Sequence, residues 1–293
     1  MILKDFLTLW LETYIEPNRA PKTGEAYKYA LAHLGEATLK TELDELTPIQ
    51  MQREVNRLSA VYSRQAQLMY IALRAALKKA VALGMMTTRP MENVEAPKHE
   101  KKEISYFTPA EASAYLREAE KVKDGSVLIL MLCLGLRRNE ARGLRYGDLG
   151  EDGVLRLRMQ RTKDGMKPLK TKASRREIPV PEALRAFFDG PVGEYLTEVT
   201  EKTLQVRHLA VMKAAGIRKN VTLHGLRHTC ATSAIKNGVQ LVTIQRLLGH
   251  ARFNVTADTY IHTDRRSLEL CATQIIGAFN YQHMEKFTRL EIV

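Results

Sequence analysis

Leu223-His224-Gly225-Leu226-Arg227-His228-Thr229 carries the most information in this chain. Leu248-Gly249-His250 follows it, and Tyr260 stands ten residues beyond His250. Upstream lies a second arginine cluster, Gly135-Leu136-Arg137-Arg138-Asn139-Glu140. Brought together, one phenol, two guanidiniums and two imidazoles can break a phosphodiester without a metal.

Taken singly, each residue has a plain structural alternative. Arg137 can grip phosphate oxygens while Glu140 orients it, or the two can form an ordinary i,i+3 ion pair. His224 and Arg227 share a helix face and can point at one anion, or His224 and His228 can be capping or core-edge histidines. As an i,i+4 pair the two histidines could also ligate a metal. The glutamate of an HExxH motif is missing, however, since Gly225, Leu226 and Arg227 stand between them, and Arg227 repels a dication. No metal and no cofactor are expected. Tyr260 is a weak nucleophile at its free pKa, and on a helix it is ordinarily a packing residue.

The flanking chain reads as two parts. In the first, helices are expected from Phe6 toward Pro17, over Thr23 to Leu34, to about Ser59, and over Ser63 to Leu83 with Gly84 as the stop. Thr47-Pro48-Ile49-Gln50 has the form of a capping box opening the third of them. Residues 85–106 bear prolines and charge and read as linker, the boundary proper falling at 99–106 between domains at 1–98 and 107–293. Thr108-Pro109-Ala110-Glu111 is a second capping box and opens the second domain. Ser126 to Leu136 is almost wholly apolar, so it reads as a buried helix running straight into Arg137. Over 153–180 the period changes to two, Leu155, Leu157 and Met159 alternating with Arg156 and Arg158. Asp164-Gly165 marks a turn and Arg176 to Val180 the return strand. Basic residues crowd this hairpin: Arg161, Lys163, Lys167, Lys170, Lys172, Arg175 and Arg176. The remainder reads as helical. The fold class is therefore mainly α (multidomain α+β), with a small antiparallel sheet in the second domain.

The chain has 293 residues, a net charge of +12 and 45% hydrophobic content. Its pI is about 9.6. That balance suits a polyanion, most simply nucleic acid, although a solubilising surface gives the same charge. Residues 1–98 contribute a net +2 and the rest +10. Cys133, Cys230 and Cys271 are odd in number and widely spaced, which argues against a disulfide frame or zinc knuckle and suits a reducing cytosol. The N-terminus lacks a signal-peptide core. The longest apolar run, Val127 to Leu136, is 10 residues, too short to span a bilayer.

The order Gly-Leu-Arg137-x-x-Glu140, a lysine in a basic hairpin, His224-x-x-Arg227, Leu248-Gly249-His250 and Tyr260 resembles the tyrosine recombinase (phage integrase) family over nearly the whole chain. The resemblance implies a helical core-type DNA-binding domain at 1–98 and a catalytic domain with a C-terminal tail helix at 107–293, clamped around duplex DNA. It implies that Tyr260 attacks the scissile phosphate, that Arg137 and Arg227 stabilise the transition state, and that Lys170 protonates the leaving 5′-oxygen. His224 relays a proton, His250 hydrogen-bonds the phosphate and Glu140 orients Arg137. Arg161, Lys163, Lys172, Arg175 and Arg176 would contact DNA. Lys172 is the alternative acid to Lys170. The activity implied is metal- and ATP-independent site-specific recombination, integrating and excising a mobile element, in a cytoplasmic, nucleoid-associated enzyme. Its partners would be double-stranded core sites and three further copies in a tetramer on DNA, with no membrane. The apolar tail helix from Leu268 to Phe279 packs on its own domain or on a neighbouring protomer. Relaxation of supercoils in the manner of a type IB topoisomerase, or DNA-binding regulation without catalysis, are the alternatives. The chain departs from the family in Leu134, Arg138 and Asn139. It also shows no arm-type DNA-binding domain, so either its start has been shortened or it works without arm sites.

Overall fold

The computed structural model describes residues 1–98, 104–169, 171–249 and 265–281. The chain divides into two compact units, Met1–Lys102 and Glu103–Val293. Both are built mainly of helices.

In the first unit, α1 (Leu3–Trp10) runs into a π turn at Leu11–Ile15, followed by α2 (Pro21–Leu31), α3 (Glu36–Leu39), α4 (Pro48–Ser59) and α5 (Ser63–Ala82). Phe6, Leu7 and Trp10 of α1, Met51 and Val55 of α4, and Met69, Leu73, Ala76 and Leu77 of α5 bury their faces in one apolar core. The i, i+3, i+4, i+7 spacing of these residues drives the helices together. Gly84, at φ +70, ends the last of them.

This unit departs from its sequence reading in two places. Thr47 does cap α4, accepting from the Gln50 amide at 3.2 Å. The Gln50 side chain does not reach back to Thr47, donating instead to Thr41 Oγ1 at 3.0 Å. The box is half formed because the Gln50 amide group is drawn away from the Thr47 N–H toward Thr41. Residues 85–94 are also not linker, for Met86, Met91 and Val94 are buried in the first core around a 3-10 turn at Pro90–Asn93.

The second unit opens with α6 (Pro109–Ala119), whose capping box is complete: Thr108 Oγ1 accepts from the Glu111 amide at 3.3 Å and Glu111 Oε2 from the Thr108 amide at 2.7 Å. Next come α7 (Gly125–Cys133) and α8 (Arg138–Ala141). Every side chain from Val127 to Leu134 is buried. The apolar run does not deliver Arg137 directly, as expected from sequence, because α7 stops at Cys133 and the chain turns at Gly135, φ +62. A Cβ there would run into Leu248 Cδ2 and press on Cys230 Sγ, so a side chain at this left-handed turn would force both neighbours to shift.

The β region holds two short antiparallel ladders rather than one sheet. β1 (Val154–Leu157) pairs with β4 (Arg176–Pro179), while β2 (Met159–Thr162) and β3 (Gly165–Pro168) form a hairpin around Asp164-Gly165. Leu155 faces Ile178 and Leu157 faces Arg176 across the first ladder. α9 (Glu182–Arg185), α10 (Glu201–Ala214), α11 (Leu223–Lys236), α12 (Leu241–Leu248) and α13 (Arg265–Ala278) complete the unit. Cys271, Ile275, Ile276 and Phe279 are buried in this unit's own core. The apolar face of α13 is thus covered without a neighbouring protomer. Among the described residues no helix is long and apolar enough to cross a membrane.

Candidate active site

α11 begins at Thr222, whose hydroxyl accepts from the Gly225 amide at 3.1 Å. A side chain at Gly225 would meet the Ser105 carbonyl at 2.9 Å, so the first turn packs directly on backbone. This sets Arg227 on the inner face, 3% exposed, and His224 on an open one. Arg227 Nη1 donates to the Gly135 carbonyl at 2.7 Å and Nη2 to the Leu248 carbonyl at 2.6 Å. The two motif arginines are thereby tied to one turn, since Arg137 lies two residues past Gly135.

Arg137 is the N-cap of α8. Its amide donates to Glu140 Oε2 at 2.9 Å and its Nη1 to Glu140 Oε1 at 2.7 Å. Its Nη2 donates to the Gly249 carbonyl at 2.7 Å. About a third of the Arg137 side chain (34%) stays open to solvent, while that of Glu140 is fully enclosed.

Arg176 does not face outward. Expected among the DNA-facing cations, its side chain is only 5% exposed and grips Glu140 from the other side, Nη1 to Oε1 at 3.0 Å and Nη2 to Oε2 at 2.9 Å. Its Nε donates to the Leu247 carbonyl at 2.6 Å. Alternation along β4 could have shown this, because Arg176 shares the inward face with Ile178. The cluster of basic residues around it masked that signal.

Two guanidiniums, Arg137 and Arg176, thus converge on one carboxylate, and with Arg227 they hold three successive carbonyls, Leu247, Leu248 and Gly249, at the end of α12. The last carbonyls of a helix lack intrahelical partners, and the helix dipole favours positive charge there. Gly249 turns at φ +68, where a Cβ would stand 2.8 Å from the Ala173 carbonyl. Burial pushes the Glu140 carboxyl up, but hydrogen bonds from Arg176 and Arg137 outweigh it and hold it below the usual range. Burial and the charges of Arg137 and Arg176 push Arg227 down to about 9, still protonated at neutral pH. Partial burial, then the charges of Arg227, His228 and Arg137, lower the His224 pKa, which favours the neutral imidazole. The four side chains Arg137, Arg176, Arg227 and Glu140 leave positive charge in excess, as a phosphate site requires.

Of the remaining expected residues, Lys170, His250, Tyr260 and the side chain of Lys172 lie outside the described residues. Arg175 and Lys163 are exposed. Arg161 is partly withdrawn: its guanidinium lies 4.3 Å over the Tyr195 ring and donates to the Thr197 carbonyl at 3.1 Å. His228 is half-buried, edge-on to Tyr106. Among the described residues no group of three or more His, Cys, Asp or Glu could hold a metal.

Residues 105–266 match the phage integrase family model, and residues 2–59 match the phage integrase N-terminal SAM-like domain. The chain belongs to the phage integrase family. Members of that family are tyrosine recombinases, enzymes that cleave and rejoin DNA. This integrase is 26% identical over 276 residues to the tyrosine recombinase XerC of Proteus mirabilis, covering 87% of this chain and 89% of that one. It is 30% identical over 190 residues to a tyrosine recombinase of Thermosipho africanus, covering 61% and 64%. In fold it resembles the Tn1549 transposon integrase solved with circular intermediate DNA, with TM-score 0.71 and 17% identity over 92% of this chain and 98% of that one. It likewise resembles a lambda integrase dimer bound to a COC′ core site, with TM-score 0.68 and 19% identity over 90% of this chain and all (100%) of that one.

Proposed function

We propose that this integrase is a site-specific recombinase that integrates and excises a mobile element through a 3′-phosphotyrosine. The observation that carries the reading is the convergence of Arg137 and Arg227 on the end of α12, directly before His250 in sequence. Tyr260 Oη attacks the scissile phosphorus, the bond from phosphorus to O5′ breaks, and Lys170 protonates the departing O5′. Neutral His224 accepts the phenolic proton through a relay. Arg137 and Arg227 balance the charge that grows on the non-bridging oxygens, a role a metal fills elsewhere. His250 hydrogen-bonds the same phosphate. Rejoining reverses these steps with a new 5′-hydroxyl, so bond energy is retained and neither ATP nor a metal is consumed.

Residues 1–98 would serve as the core-type DNA-binding domain, 99–106 as linker and 107–293 as the catalytic domain. Arg161, Lys163, Lys172 and Arg175 would neutralise DNA phosphates, with Arg161 leaving its Tyr195 seat to do so. The tetrameric arrangement on DNA is supported by a structural neighbour, a lambda integrase tetramer bound to a Holliday junction. The setting would be the cytoplasm, on the nucleoid.

The test incubates the full chain with nicked duplexes of randomised sequence, in which the cleaved strand loses its short 5′-hydroxyl end and cannot be rejoined. The expected result is a denaturation-resistant protein–DNA adduct that survives excess EDTA and vanishes in Tyr260→Phe. An adduct in Tyr260→Phe sinks the nucleophile assignment, and loss in EDTA overturns the metal-free step. Relaxation of supercoils without strand exchange between duplexes would place the chain with single-acting nicking-closing enzymes.

A further inference from the structure

Arg176 falls outside every role assigned above. It is buried, it lies on β4 rather than on a motif helix, and it spans two parts of the site at once. Glu140 has about four lone-pair positions. The Arg137 amide, Arg137 Nη1 and both terminal nitrogens of Arg176 occupy them. The third nitrogen of Arg176 holds the Leu247 carbonyl. Only a guanidinium has donors in this geometry, two parallel and one to the side.

We propose that Arg176 is a positioning residue for strand cleavage. By saturating the far side of the Glu140 carboxylate it keeps Arg137 from folding bidentately onto Glu140. Arg137 therefore divides its donors between Glu140 and the Gly249 carbonyl and presents its open third toward an incoming phosphate. By gripping Leu247 it also locks the turn from which the chain leaves α12 toward His250. One buried cation thus couples the aim of Arg137 to the end of α12. This rests on the proposed function, in which Arg137 and His250 meet the scissile phosphate.

The measurement is the single-turnover rate of adduct formation at saturating protein, alongside affinity for the same nicked duplexes, in Arg176→Lys. Lysine keeps the charge but cannot make the paired contacts. The expected outcome is cleavage slowed about 10²-fold, the scale of a misaimed catalytic group, with affinity within about twofold of wild type. A buried arginine of structural importance only would lower thermal stability and leave the saturated rate, measured well below the melting point, unchanged. A wild-type rate in Arg176→Lys overturns the proposal. Should that variant fail to fold, Arg176→Gln keeps the Glu140 carboxylate paired with Arg137. The same slowing at intact affinity is expected of it, and a wild-type rate there overturns the proposal equally. Tyr260→Phe run in parallel separates the two readings. If it still forms adduct, the proposed chemistry fails. If it does not, the Arg176 result judges positioning alone.

Discussion

Glu140 ties two arginines together inside the second unit. Two arginines reach it and its side chain is enclosed, so Glu140→Ala would leave Arg176 charged, buried and unpaired. A loss of roughly 3–5 kcal/mol is expected in urea denaturation. A loss below about 1 kcal/mol, the scale of a surface pair, would mean that Arg176 finds another partner. Gly135→Ala is a second case. It combines a left-handed φ of +62 with a Cβ that runs into Leu248 Cδ2, and should cost about 1–3 kcal/mol. The first pair was visible in the sequence only from one side. The spacing of Arg137 and Glu140 predicts an ion pair, but nothing local names Arg176, which is 36 residues from Glu140.

At the level of elements, α6, α10 and the start of α11 are joined through a buried histidine. His208 Nδ1 accepts from the Tyr115 hydroxyl at 2.8 Å, and Nε2 donates to the Val221 carbonyl at 2.7 Å, just before the α11 cap. Burial lowers the His208 pKa, with the Val221 contact only partly opposing it. The folded pKa lies below the unfolded one, so the unfolded chain takes up the proton first as pH falls. The stability contributed by neutral His208 is present above pH ~6.5 and is lost below it toward the folded pKa. In His208→Gln the slope of stability against pH between ~7 and ~5 should be shallower than in wild type. Parallel curves would exclude the imidazole. The cap of α6 was legible without tertiary information, because Thr108 and Glu111 satisfy each other locally. Thr108→Ala should cost about 1 kcal/mol in the same assay. The cap of α4 was only half legible, since Gln50 had an alternative partner in Thr41 that lies outside its own turn.

For the whole molecule, charge sets the expected behaviour on DNA. The net +12 predicts that log Kd for duplex DNA rises linearly with log salt, by about 0.9 per phosphate neutralised. Exposed Arg175→Ala should lower that slope by about one. Buried Arg176 makes no such contact, so Arg176→Lys should leave the slope as in wild type. Fluorescence anisotropy across a salt series checks both, and a reduced slope in Arg176→Lys would return that residue to the DNA surface.

The sequence alone determined the family, the mainly helical class and the overall positive field. These are properties of residue type and spacing, and spacing along one chain is enough to read them. Tertiary structure decided which charges meet. It ended α7 early so that Gly135 could turn Arg137 into the cap of α8, covered α13 with its own unit, and withdrew Arg176 from the surface to hold Glu140. Segments distant along the chain compete for the same few buried acceptors. The winner is set by which donors the packed core brings within hydrogen-bond reach, and that distance is written nowhere in the spacing of the motifs.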